Sequence, residues 1–294
     1  MKQNQALTQA IEPFIQTDGT QETAIPGLQF IRASQISKPV YSVYDPSLCI
    51  VAQGSKVVML GKESFHYDPS SYLTASVHLP ITGQVIEASS KTPYLSLQLQ
   101  LDMKQVLDIL QSSNQTEHPQ KEPRRGLVVS QMNEELLEAA LRLVRLLNKP
   151  QDIPVLSAGF IREIIYRVLQ DDQNENLKHF ALIGSKAQRI AKVLDRLNHT
   201  FDQPFRVEEL AEEVQMSLSS FYSYFKEVTG MSPIQYQKLL RLQEARRLLF
   251  TEELNAAEAS YRVGYESPSH FSREYTRKFG LPPGQDLQRL RETL

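Results

Sequence analysis

Cysteine is nearly absent: Cys49 stands alone in 294 residues. A single thiol excludes an intramolecular disulfide framework and any multi-cysteine metal site. Long apolar runs are missing too, and nothing approaches the roughly 18 residues of a membrane span. The opening residues, Met1-Lys2-Gln3-Asn4-Gln5, are polar with no hydrophobic segment behind them, so no secretory signal is expected. These absences predict a soluble cytoplasmic protein with no membrane partner. Charge of one sign is also scarce. The 32 Lys+Arg and 34 Asp+Glu leave a net of −2. Residues 181–294 hold 16 basic and 15 acidic side chains, against 16 and 19 in residues 1–180. Totals this balanced supply no field, so a polyanionic partner would require positive charge arranged on one face. No Ser-His-Asp set, phosphate loop or nucleotide-binding glycine pattern stands out. No catalytic residue, metal or cofactor is therefore expected.

What is present suits about two domains at roughly 150 residues each. Apolar residues make up 41% and charged residues 22%, a composition that packs a core. Residues 1–17 place Leu7, Ile11, Phe14 and Ile15 at helical spacing. From about Leu28 to Asp102 the pattern is short strands and turns. Leu48–Ala52 and Lys56–Leu60 flank Gln53-Gly54-Ser55 and read as a hairpin. Glu63–Tyr67, Ser71–Thr74, Val77–Ile81 and Gln84–Ala88 continue the meander, with Gly83 as a turn. In Tyr94–Asp102, Leu95, Leu97, Leu99 and Leu101 face one way and Ser96, Gln98 and Gln100 the other. That alternation predicts one buried and one wetter side. Such strands suggest a small barrel or sandwich.

From Met103 the chain reads as helical, with residues 111–125 as a polar exposed loop. Glu134–Leu147 carries Leu137, Leu141, Val144 and Leu147 on one stripe. Val155–Leu169 carries Phe160, Ile164, Ile165 and Val168 on another. The pair either completes the first core or forms a dimer seam. Residues 170–178 are polar and read as a linker.

Residues 184–294 repeat one pattern. Val207–Val214 is a short helix; Gln215-Met216-Ser217 is a break; Leu218–Val228 is a second helix ending at Thr229-Gly230. Ala256–Val263, Gly264-Tyr265-Glu266 and a helix from Ser267 to Phe279-Gly280 follow the same order. Ser217 and Ser267 fit as N-caps, Pro268 fits the first turn, and Gly230 fits the C-terminal stop. Each copy has the layout helix, tight turn, helix. Pro233–Phe250 reads as one long helix between them, able to hold two probes about 34 Å apart on one face of a duplex.

Gly230-Met231-Ser232-Pro233-Ile234-Gln235-Tyr236, Arg241-Leu242-Gln243-Glu244-Ala245-Arg246-Arg247-Leu248-Leu249, Val263-Gly264-Tyr265-Glu266-Ser267-Pro268-Ser269-His270-Phe271-Ser272-Arg273 and Lys278-Phe279-Gly280-Leu281-Pro282-Pro283 resemble the AraC/XylS transcriptional regulators. The match covers about 100 residues with order and spacing intact. Tyr275 stands where the family usually has Phe, and Asp286 where a Tyr usually follows the Pro-Pro turn. The resemblance implies a sequence-specific DNA-binding regulator that activates transcription by contacting RNA polymerase. By motif position it puts Ser219, Tyr222, Ser223 and Lys226 of the first recognition helix toward double-stranded DNA. In the second it puts Ser269, His270, Arg273 and Arg277 there. Phe221, Phe225, Phe271 and Tyr275 should face the core. Arg273 is the expected base reader, because guanidinium pairs bidentately with guanine. Lys186, Arg189, Arg196, Arg241 and Arg246 are candidates for backbone phosphates.

Tyr44-Asp45-Pro46-Ser47-Leu48-Cys49-Ile50-Val51-Ala52-Gln53-Gly54, Tyr67-Asp68-Pro69, Leu79-Pro80-Ile81-Thr82-Gly83 and Ala88-Ser89 resemble the N-terminal cupin-like domain of one AraC subfamily. That implies a sensing or oligomerising domain and a homodimer, without naming an effector. Metal cupins carry a His-x-His pair; here His66 and His78 are isolated. Tyr41, His66, Tyr72, His78 and Gln98 are candidates to line a small-molecule cavity. Cys49, in an apolar strand, is either an inert buried thiol or a sensor of oxidants and electrophiles.

The expected fold is α+β. Residues 1–170 form a cupin-like sensing and dimerisation domain ending in helices, 171–183 a linker, and 184–294 an all-α domain with two helix-turn-helix units. The leading reading is an effector-responsive activator. A constitutive DNA-binding protein whose N-terminal half only dimerises, and a metal cupin enzyme, are the alternatives.

Overall fold

The computed structural model describes residues 2–114, 125–171, 175–252 and 254–291. It divides into two compact units, Met1–Ala191 with Glu227–Gly230, and Lys192–Lys226 with Met231–Leu294.

The first unit is built on strands β1 (Gly19–Glu22), β2 (Leu28–Ala33), β3 (Val40–Tyr44), β4 (Ser47–Gln53), β5 (Ser55–Leu60), β6 (Glu63–Tyr67), β7 (Ser71–Ala75), β8 (Leu79–Glu87), β9 (Tyr94–Gln100) and β10 (Leu127–Gln131). They form two antiparallel sheets, ordered β1-β2-β9-β4-β7-β10 and β3-β8-β5-β6. Helices α1 (Lys2–Ile11), α2 (Met103–Ser112), α3 (Glu134–Leu146), α4 (Ile153–Leu169) and α5 (Glu175–Ala181) share a core with the larger sheet. Leu48 and Ile50 of β4, and Leu95, Leu97 and Leu99 of β9, meet Leu7, Ile11, Val144 and Ile165 there, all at most 1% exposed. The stripes of α3 and α4 thus complete this core. Asn133 caps α3, accepting from the Leu136 N–H at 2.8 Å.

Five sequence expectations change in whole or in part. β4 and β5 are not a hairpin: β4 pairs with β7 and β9, β5 with β6 and β8. Gly54 (φ +79°) is the corner where the chain changes sheets, and a Cβ there would drive into the Glu87 carbonyl. Gly83 does not turn the chain, because β8 runs through it and pairs it with Val40 and Val58. β10 is a strand inside the stretch read as helical; it adds to the edge at β7. The wetter side of β9 is covered only at its start: Ser96 is 1% exposed, while Gln98 is half-buried and Gln100 exposed. Half of the expected linker is α5, whose Leu177 and Phe180 are buried. The polar tract 170–178 masked this amphipathic turn. Residues 115–124, most of the expected 111–125 loop, lie outside the described residues.

The second unit is helical: α6 (Lys186–His199, which begins in the first), α7 (Val207–Glu213), α8 (Leu218–Thr229), α9 (Pro233–Thr251), α10 (Ala256–Arg262), α11 (Pro268–Phe279) and α12 (Pro283–Arg291). α9 is 19 residues, about 28 Å at 1.5 Å per residue. Its start is held by a capping box: Ser232 accepts from the Gln235 N–H at 3.3 Å, and the Gln235 side chain accepts from the Ser232 N–H at 3.0 Å.

Candidate nucleic-acid interface

Both helix-turn-helix units close their turns with the same backbone device. After α7, Gln215 is left-handed at φ +54°. Its N–H bonds the Glu212 carbonyl at 2.9 Å, and the Met216 N–H reaches Ala211 at 2.9 Å. After α10, Gly264 is left-handed at φ +84°. Its N–H bonds Tyr261 at 3.0 Å, and the Tyr265 N–H reaches Ser260 at 2.9 Å. These paired bonds satisfy carbonyls that a helix end leaves bare and set the turn angle. Ser217 and Ser267 then cap α8 and α11, accepting from the Ser220 and His270 N–H groups at 3.3 Å.

The buried stripe fixes which side of each second helix points outward. Phe221, Phe225, Phe271 and Tyr275 are at most 1% exposed. On the opposite side lie Ser219, Tyr222, Ser223 and Lys226 of α8, and Ser269, His270, Arg273 and Arg277 of α11, all exposed. Arg273 makes no hydrogen bond or ion pair among the described residues.

The five basic residues assigned to phosphates divide. Lys186 and Arg196 are exposed and Arg189 is partly so, all on α6. Arg196 forms an ion pair with Glu213. Arg241 and Arg246 are engaged inside the fold instead. The Arg241 guanidinium donates to the carbonyls of Phe201 (2.6 Å), Gly264 (2.8 Å) and Asp202 (3.0 Å). It ties the second turn to the segment before α7. Arg246 Nε donates to Asp286 Oδ2 at 2.7 Å. Asp286 is fully buried and also accepts from Tyr275 Oη (2.9 Å) and Arg289 Nη2 (2.7 Å). Burial alone would raise its pKa, but the Arg246 hydrogen bond and charge, with Tyr275 and Arg289, hold it below the usual carboxylate range. The sequence shows a basic residue on a helix; it does not show that a buried acid waits for it.

Sequence reasoning missed Glu274. Its side chain, 10% exposed, pairs with Lys238 of α9, with Arg277 at 3.2 Å and with His270 at 3.5 Å. It also accepts from Tyr265 Oη at 3.0 Å. Burial pushes its pKa up, and the Lys238 and Tyr265 hydrogen bonds with the nearby cations more than reverse this. A cleft of about 530 Å³ opens beside it, lined by Phe205, Ile234, Lys238, Arg241, Tyr265 and His270.

In the first unit, polar side chains from both sheets converge between them. Lys56 Nζ donates to Tyr44 Oη at 3.0 Å. Burial raises the Tyr44 and Tyr67 hydroxyls, takes Tyr94 up to about 12 and the Cys49 thiol up to about 11. A buried, protonated thiol is a poor nucleophile. Gln98 lies opposite Cys49 in register and donates to Ser47 Oγ at 3.2 Å. Of the five residues assigned to a cavity, only Gln98 shares this interior, beside the separately considered Cys49. Tyr72 faces the helices and donates to Asp171 at 2.8 Å. His66 is exposed, and His78 meets Asp45 at 2.9 Å. Tyr41 alternates with the inward Tyr44 and takes the other face of β3. Tyr44, Lys56, Tyr67 and Tyr94 were missed; their signal was phenols and an amine inside apolar strands. Among the described residues no group of three or more His, Cys, Asp or Glu is placed to hold a metal. No described helix is long and apolar enough to cross a membrane.

A β-sheet unit with a helical layer, joined in one chain to tandem helix-turn-helix units, defines a class of two-part proteins. Residues 24–176 match the model of the AraC-type transcriptional regulator N-terminus, and residues 210–289 match a helix-turn-helix domain. The chain belongs to the AraC-type transcriptional regulator family. It is 30% identical over 136 residues to the regulator GbdR of Pseudomonas aeruginosa, covering 45% of this chain and 36% of that protein. It is 26% identical over 166 residues to the activator RhaS of Escherichia coli, covering 55% and 57%. The chain thus spans less than two thirds of the length of these curated relatives. Its fold is similar to ToxT of Vibrio cholerae O395, solved with (E)-4-(8-methylnaphthalen-1-yl)but-3-enoic acid bound. That likeness has a TM-score of 0.56 at 13% identity and covers 92% of this chain and 98% of ToxT.

Proposed function

We propose that the protein is a sequence-specific, DNA-binding transcriptional regulator of the cytoplasm, acting as an effector-responsive homodimeric activator that contacts RNA polymerase. The observation that carries this is the repeated turn-and-cap geometry, which turns eight polar or basic side chains of α8 and α11 outward from two buried aromatic stripes. Each recognition helix enters a major groove, and α9 sets the spacing between them. Arg273 reads a base; Ser219, Ser223 and Tyr222 make single polar or apolar contacts. Lys186, Arg189 and Arg196 supply backbone contacts that set register. The polar interior around Tyr44, Lys56, Tyr67, Tyr94 and Gln98 takes a small molecule, and a ligand bound unequally by two arrangements of the chain shifts their populations. Family membership supports the regulatory assignment.

Binding to single-base variants of an operator found by genome-wide mapping tests the reading. Arg273→Ala is expected to lose about 1–3 kcal/mol of discrimination at one base pair. Ser219→Ala should lose less, and a greater relaxation from Ser219→Ala would reverse the assignment of the dominant reader. A Cys49→Ser protein is expected to respond normally to inducer, because the thiol is buried and protonated.

A further inference from the structure

We infer that Glu274 is a specificity-determining positioning residue: an internal carboxylate that holds the cations around α11 away from DNA phosphates and leaves Arg273 as that helix's free guanidinium. The inference deepens the DNA-binding reading and rests on it. Three side chains from two helices converge on one oxygen, Glu274 Oε1: the cations Lys238 from α9 and Arg277 from α11, and the His270 imidazole from the preceding turn of α11. The other oxygen accepts from Tyr265, which keeps the carboxylate from swinging out to water. Arg273, one residue away, points to solvent with no such partner among the described residues.

The consequence is electrostatic. Sequence-independent affinity scales with the number of cations that replace counterions on phosphates, at about 0.9 in the slope of log K against log salt for each. A cation already paired with a fixed carboxylate contributes less, because a phosphate must compete for it. The carboxylate also repels a phosphate brought close. Glu274 therefore lowers affinity for any duplex while sparing the directional contact of Arg273, which raises the ratio of specific to non-specific binding. A chain of net charge −2 with 22% charged residues gains discrimination this way without shedding basic side chains.

The test uses the full chain, with an operator duplex and a random duplex titrated across a salt series. Wild type binding neither duplex would reject the DNA-binding reading itself. Given wild-type binding, Glu274→Gln is expected to bind the random duplex about tenfold tighter at 0.1 M salt, with a slope steeper by about one to two and a smaller operator-to-random ratio. Glu274→Asp keeps the charge and should keep the wild-type slope. A Glu274→Gln protein that melts like wild type yet shows unchanged slope and ratio overturns the inference, as does an Asp variant that behaves like the Gln variant. If Glu274→Gln fails to fold, Arg277→Gln decides. Arg277 is 73% exposed, so its loss does not threaten the fold. A slope reduced by less than about half a unit supports restraint by Glu274, and a full loss of about 0.9 refutes it.

Discussion

The two helix-turn-helix units solve one packing problem with different chemistry. Counted from Gly230 and Gly280, Phe225 matches Tyr275, Tyr224 matches Glu274, and Tyr236 matches Asp286. In the first unit, the Phe225 and Tyr236 rings meet edge-on, centroids 5.5 Å apart at 88°. In the second, a phenol and a carboxylate meet at 2.9 Å, with Arg246 and Arg289 completing the acceptor's partners. The exchange is coupled. A hydroxyl at 275 gains from burial only with an acceptor, and a carboxylate at 286 is tolerated inside only with donors. The first unit is held by ring packing and the second by charge-assisted hydrogen bonds.

The largest expected contrast follows from removing the charged partner. Asp286→Ala leaves Arg246 buried without its acid, and should cost about 3–5 kcal/mol in denaturant unfolding. The matching change in the first unit, Tyr236→Phe, removes one hydroxyl and should cost about 1 kcal/mol. Equal costs would break the distinction. The contrast extends to pH. Asp286 and Glu274 both have folded pKa values below their ordinary ones. Their stabilisation is complete above the unfolded values, near about 4, and is lost as pH falls through the lower folded values. The first helix-turn-helix unit has tyrosines at both positions and no carboxylate there. Acid should therefore loosen α11 and α12 before α8, as read by residue-resolved amide exchange below about pH 4. Simultaneous loss of both units would remove the asymmetry.

How much of this was legible in sequence depends on the range of the interaction. Caps, turns and helix spans in the helical unit are local, so Ser217, Ser267, Pro268 and Gly230 could be read directly, and the buried faces of α8 and α11 followed from the position of each residue in the motif that resembles the family's. The eight outward side chains came with them. Roles fixed by distant partners could not be read. Arg246 and Asp286 are 40 residues apart and Arg241 and Phe201 are 40 apart. A helix pattern shows neither closure. In the β-sheet unit the alternation of strands was visible, but pairing was not. Gln53-Gly54-Ser55 has hairpin composition, yet Gly54 serves a close approach to the Glu87 carbonyl at a corner between sheets. Tyr72 fell to the same problem, since strand residues look alike until it is known which face meets the helices.

The turn glycine gives the next contrast in size. Gly264 lies against the Asp202 carbonyl, and an added Cβ would overlap it. Gly264→Ala therefore combines left-handed strain of about 1–2 kcal/mol with a backbone clash of about 1–3 kcal/mol. We expect a loss near 3 kcal/mol, measured by thermal melting, together with weaker DNA binding because Arg241 bonds the same turn.

Gln215 occupies the equivalent left-handed position in the first unit, at φ +54°, and its side chain is exposed. The strain is already present in the native protein there. Gln215→Ala keeps the same backbone penalty and should change stability by less than about 0.5 kcal/mol. Gln215→Gly relieves about 1–2 kcal/mol of left-handed strain but adds about 0.5–1 kcal/mol of unfolded-state entropy, for a net gain of about 0.5 kcal/mol. The same alanine is thus expected to be silent in one turn and damaging in the other, although the two turns share the same pair of backbone hydrogen bonds. If the Ala and Gly variants at 215 differ in stability by as much as Gly264→Ala costs, the penalty at Gly264 belongs to φ alone and the Asp202 contact contributes nothing. If Gly264→Ala costs more than that difference, the Asp202 contact distinguishes the two turns, and glycine is required in the second because another segment of backbone passes against it.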